Sequence, residues 1–179
     1  MRKTESQKIA LCGVLGALSV ALMLLGNILQ VGTYSAPMLA AFLLIPVMEE
    51  YGPKYALLLY GTVSLLSVIL VPDKELALFY LLVMGHYPVT KTKLDCIRSG
   101  ILRWCAKLLM FNGMTVLLYA LLFLLLGPAV GQMLLEDGTG WLALLLASGN
   151  LAFWLCDRAV ENITRLYRLR VRNRLKKLL

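Results

Sequence analysis

Residues 8–29, KIALCGVLGALSVALMLLGNIL, carry no charged side chain after Lys8. At 1.5 Å per residue a helix of that length runs about 33 Å, enough for the roughly 30 Å hydrocarbon core of a bilayer. Lipid offers no water to backbone N–H and C=O groups, so a run like this must close its hydrogen bonds within itself, as a helix does. Residues 53–71 (PKYALLLYGTVSLLSVILV) and 104–126 (WCAKLLMFNGMTVLLYALLFLLL) repeat the theme. Residues 34–48 (YSAPMLAAFLLIPVM) and 76–91 (LALFYLLVMGHYPVTK) are shorter and weaker spans, and a sixth segment covers about 141–165. With 60% hydrophobic residues and a mean hydropathy of +0.77, one soluble core of 179 residues could not hide this much apolar surface. The expected fold class is an all-α membrane protein, one transmembrane domain over residues 1–179.

The net charge of +8 sorts with topology. With the N-terminus in the cytoplasm and six crossings, every Lys and Arg except Lys74 falls inside, while Asp73, Glu75, Glu136 and Asp137 fall outside. Omitting either weak span would put one basic cluster on the wrong side, against the positive-inside rule. Six helices with both ends inside are therefore predicted. The tail 158–179, RAVENITRLYRLRVRNRLKKLL, reads as a basic cytoplasmic helix that either lies on anionic lipid or serves only as an orientation anchor. No basic surface is interleaved with aromatics for base stacking, so nucleic acid is not an expected partner.

Catalytic signatures are missing: there is no GxSxG, HExxH or Walker A motif. Cys12, Cys96, Cys105 and Cys156 form no CxxC pair, and His86 is the one histidine, so no metal site, cofactor or catalytic residue is expected. Glu49-Glu50 superficially resembles the paired glutamates of CAAX-type intramembrane proteases. That chemistry needs several polar ligands inside the membrane, and Gly52-Pro53 breaks the segment directly after the pair. The pair reads as a solvated loop between helices two and three, with a hydrolase the weakest alternative.

A thin set of polar and aromatic groups falls in the outer half. Asn27, Gln30, Tyr34, Tyr80, Tyr119, Trp141 and Asn150 are the candidate ligand contacts, with Ser35, Ser64, Ser67 and Ser148 nearby in the topology. Apolar walls with a few hydrogen-bonding groups suit a small organic ligand. Tyr34 and Trp141 could equally belong to an interfacial aromatic belt. In residues 85–91, GHYPVTK, Pro88 lacks an amide hydrogen and Gly85 eases bending, so Gly85, His86 and Pro88 read as a hinge near the inner face. His86 is expected to hydrogen-bond a neighbouring helix, or else to act as a proton-linked switch.

In the first segment Gly13, Ala17 and Ala21 recur every four residues, a small-residue stripe over which another helix can approach closely. That helix could belong to this chain or to a partner. Ala17-Leu-Ser-Val-Ala21 reproduces the AxxxA motif of the S components, the substrate-binding membrane subunits of energy-coupling factor (ECF) transporters, and the chain resembles that family over nearly its whole length. The resemblance implies a bacterial cell-membrane protein without enzymatic activity. It would take a vitamin-like small organic nutrient from outside and dock on a coupling transmembrane subunit driven by two ATP-binding subunits. Ala17 and Ala21 would form the docking face, extended by Gly13, and the pocket would be roofed by the loop after helix one, near Asn27, Gln30 and Tyr34. The chain departs from members with a long lid in the shortness of that loop, and from the metal-transporting branch in lacking a Met-His N-terminus. A small membrane scaffold without a ligand is the alternative from another class.

Overall fold

The computed structural model describes residues 5–29, 34–127 and 138–171; the side chains of 138–143 and 171 lie outside that description. All regular elements among the described residues are helical. They are α1 (Glu5–Leu29), α2 (Ser35–Phe42), α3 (Leu44–Tyr51), α4 (Pro53–Leu70), α5 (Lys74–Phe79), a π-helical turn (Tyr80–Met84), α6 (Tyr87–Leu94), α7 (Gly100–Leu126), α8 (Gly138–Leu166) and a second π-helical turn (Tyr167–Val171).

Local chemistry accounts for the boundaries. Pro46 cannot donate to the carbonyl of Phe42, four residues back, and α2 ends at Phe42. Pro88 has the same relation to Met84, the last residue of the first π-helical turn, and sits in the first turn of α6. Gly52 adopts φ 89°, a conformation that favours glycine, and passes the chain to Pro53 at the start of α4. Asp73 caps α5, its Oδ1 accepting from the Glu75 and Leu76 amides at 3.0 and 3.2 Å. Ser99 opens α7, and Gly127, at φ 77°, closes it.

Among the described residues three helices, α1, α4 and α7, are long and apolar enough to cross a membrane, and only 28%, 28% and 17% of their most apolar stretches are buried inside the protein. Among the described residues, the least regular segment is instead the most enclosed. From Leu76 through Tyr80, and again at Val83, Met84, Tyr87 and Val89, every side chain is buried. Around them close Met23 of α1, Leu44, Ile45 and Val47 of α2–α3, Val63 of α4, Phe111 and Leu118 of α7 and Phe153 of α8. Interrupted backbone in an apolar setting is tolerable where protein covers it. The regular helices, whose backbone groups are satisfied internally, form the outer wall.

The two glutamates expected in a solvated loop are still on a helix. Because Gly52 ends α3, Glu49 and Glu50 occupy its last turn. The Glu49 side chain is only 7% exposed and takes a two-pronged grip from Arg168, Nε to Oε2 and Nη2 to Oε1 both at 2.7 Å. Tyr167 donates to Glu50 at 3.3 Å, and burial, then the Glu50 charge, push its phenol up to about 12, so it remains a donor at neutral pH. These bonds fasten the end of α8 to α3.

Candidate functional site

Polar side chains gather at two levels. Along α7, Lys107 and Tyr119 stand roughly 18 Å apart at 1.5 Å per residue, and each belongs to a different cluster.

At the Tyr119 level, two of the residues expected at a ligand site meet. Tyr34 Oη donates to Glu75 Oε1 at 2.7 Å, Tyr119 Oη donates to the same oxygen at 3.2 Å, and the two phenol oxygens are themselves 3.2 Å apart. The Phe79 ring stands edge-on to Tyr34, centroids 5.1 Å apart. Lys74 turns away, its Nζ bonded to the carbonyls of Val68 and Val71, so Glu75 makes no ion pair among the described residues. Glu75 was legible only as an external acid; what gives it a place is the fold bringing Tyr34 and Tyr119 to it across 41 and 44 residues.

The other expected contacts go elsewhere. Tyr80 is fully buried against Tyr60, and its hydroxyl has no partner among the described residues. Asn150 forms a reciprocal amide pair with Asn112, Nδ2 to Oδ1 at 2.9 and 3.2 Å, which clasps α7 to α8. Asn150→Ala is expected to destabilise the protein by about 1 kcal/mol. The double change with Asn112→Ala should add little more, as denaturant titration in mixed micelles would show. Asn27 is half-buried on the last turn of α1. Gln30 lies outside the described residues, and Trp141 is in α8 with its side chain outside the description.

The second cluster was not anticipated. Asp157, on α8 and 2% exposed, accepts from Tyr87, Lys91 and Lys107, the last at 3.0 Å. Lys91 and Lys107 are themselves buried, at 5% and 3% exposure. Lys91 Nζ also reaches the Asp157 carbonyl at 3.0 Å, and Lys107 is 2.7 Å from Asp95. Three segments, α6, α7 and α8, thus converge on one carboxylate oxygen. Ionisable groups with apolar surroundings persist when they pair, and they mark functional candidates. The available signal was Lys107, a charge inside an otherwise apolar run, and Asp157, placed directly after WLC at the end of another.

Two cavities adjoin this cluster. One of about 360 Å³ is lined by Asp95, Arg103, Trp104, Lys107, Arg158 and Glu161 together with Asp157. The other, about 500 Å³, lies between α3, α6 and α8, with Met48, Pro88, Lys91 and Arg168 on its walls.

Above the cluster, the expected hinge is tightly packed. Gly85 is buried, its N–H bonded to the Tyr80 carbonyl at 2.7 Å, and the Tyr60 ring lies directly against it. The His86 ring meets Tyr60 edge-on at 6.0 Å, and no hydrogen bond from it is found among the described residues. On α1, Gly13, Ala17 and Ala21 are all exposed, whereas Gly16, Ser19, Val20 and Met23 face inward. Nothing lies within 4 Å of where a Gly13 side chain would begin. The stripe does not pack against the chain's own described helices.

Compared with protein families, with curated proteins and with solved structures, the chain finds no match.

Proposed function

We propose that this protein is the substrate-binding membrane subunit of an ECF-type importer. In this reading it crosses the membrane six times with both ends in the cytoplasm, α2–α3 and α5–α6 each making one crossing. The observation that carries it is the outward exposure of Gly13, Ala17 and Ala21 on α1. A stripe of small side chains left uncovered lets a second backbone approach closely, which is how helices associate where lipid already satisfies apolar surface. Its inward neighbours Gly16 and Met23 already serve the chain's own packing, so the stripe is available to a coupling subunit with its two ATP-binding subunits. The small organic nutrient would be taken at the level of Tyr34, Glu75 and Tyr119, where phenols and a carboxylate converge beside Phe79.

The test is co-purification with coupling subunits. Ala17→Leu/Ala21→Leu, which fills the stripe, should lower the recovered complex roughly tenfold or more while leaving the protein folded and any retained small molecule in place. Full recovery of the complex from the double variant would remove the docking assignment. A purified protein that never carries a small molecule, by mass spectrometry, would favour a ligand-free scaffold.

A further inference from the structure

We propose that the 360 Å³ cavity between α7 and α8 is a binding site for the phosphate group of an anionic membrane lipid. Charge supplies the first argument. Of the cations lining the cavity, Lys107 is already committed to Asp95 and Asp157, and Lys91 adds its charge to the same cluster from α6. Those four groups balance. What faces the cavity beyond them is Arg103, Arg158 and Glu161, and neither arginine makes an ion pair among the described residues. The remainder is one positive charge, which one phosphodiester neutralises. Two guanidiniums also give paired N–H donors that suit phosphate oxygens.

Position supplies the second argument and selects lipid as the source. Arg103 and Trp104 lie on the first turn and a half of α7, a helix apolar enough to cross a membrane, so the cavity sits where such a helix leaves the hydrocarbon. Trp104 stands beside Lys107, 5.4 Å from ring centre to Nζ, and Trp154 lies under Arg158 at 5.6 Å. Trp104 therefore lines the site and Trp154 backs one of its arginines, as amphipathic rings do at the headgroup level. Deeper in, the Phe111–Phe153 stack closes the gap between α7 and α8, with centroids 4.5 Å apart. On the outer surface, Leu151, Trp154 and Leu155 of α8 stay exposed, giving an acyl chain a surface beside the headgroup. A basic pocket between membrane helices at this depth is a known way of holding lipid headgroups.

The experiment uses the full chain, in a Trp141→Phe background, in nanodiscs of phosphatidylcholine. Quenching of Trp104 and Trp154 fluorescence is compared for brominated phosphatidylglycerol and brominated phosphatidylcholine. The expected result is preferential quenching by phosphatidylglycerol, with the relative association constant reduced roughly 30-fold in Arg103→Gln/Arg158→Gln. Arg165→Gln/Arg170→Gln, which removes exposed tail charge, should keep the preference. Equal quenching by both lipids would overturn the proposal, as would an undiminished preference in a folded Arg103→Gln/Arg158→Gln protein. Equal loss in the tail variant would reduce the effect to diffuse attraction and overturn it too. Millimolar glycerol phosphate that displaced the brominated lipid would assign the site to a soluble phosphate compound and sink the lipid assignment.

Discussion

Asp157→Ala is expected to destabilise the protein by about 3–5 kcal/mol, the usual penalty for removing one member of a buried charged group. In the native protein three donors share the Asp157 carboxylate, and both lysines among them are almost wholly enclosed. Without it, Lys107 keeps Asp95 at 2.7 Å, but Lys91 is left with Asp95 at 3.9 Å as its nearest carboxylate. Lys91 must then hold a buried charge against a half-exposed carboxylate at the far limit of an ion pair. Tyr87, buried in the same place, loses its acceptor as well. Denaturant titration in mixed micelles measures the loss. The quadruple change Asp157→Leu/Lys91→Met/Lys107→Met/Tyr87→Phe should recover most of it, because an apolar replacement of the whole group removes the desolvation cost along with the attraction. A single variant as stable as the parent would show that water reaches the cluster and that its members are not held by one another.

Gly85→Ala is expected to be the next most damaging change, at about 3 kcal/mol from overpacking. A methyl group there would lie 2.7 Å from the Tyr80 carbonyl oxygen and 2.7 and 2.8 Å from two carbons of the Tyr60 ring. Tyr60 cannot simply swing aside, since its hydroxyl donates to the Leu81 carbonyl at 2.6 Å. The carbonyl belongs to the π-helical turn and cannot move without it. Tyr60→Ala should therefore relieve only part of the strain. Gly61→Ala and Gly113→Ala, where nothing lies within 4 Å, are the controls and should be neutral or slightly stabilising. If Gly85→Ala matched those controls, the close packing of α4 against the π-helical turn would not be a constraint on the fold.

The small-residue stripe and the Asp157 cluster differ in how much of each could be read along the chain. Gly13, Ala17 and Ala21 are visible as a repeat, but α1 is apolar on every side, so hydrophobicity does not say which face turns inward. Packing decides it: Ser19 bonds the Leu15 and Ala40 carbonyls and Gly16 lets Leu59 approach, so the opposite stripe is left outside. Asp157 and its lysines are 66 and 50 residues apart, with no local signal linking them. Glu49 was misread for a related reason. The helix stop after it is plain in Gly52-Pro53, but its partner Arg168 is 119 residues away.

Sequence alone determined the all-helical class and the membrane character of the chain, because uncharged runs of 20 or so residues have few other ways to satisfy their backbone. It also carried the breaks at Gly52-Pro53 and Pro88, because a missing N–H or a positive φ acts on its own few neighbours. Only the tertiary structure decided that the weakest, most interrupted segments form the centre while the most apolar helices form the wall. It alone brought Tyr34 and Tyr119 to Glu75, and Tyr87, Lys91 and Lys107 to Asp157. Those meetings depend on how helices rotate and pack against one another, and in a chain apolar on nearly every face no local pattern sets that rotation.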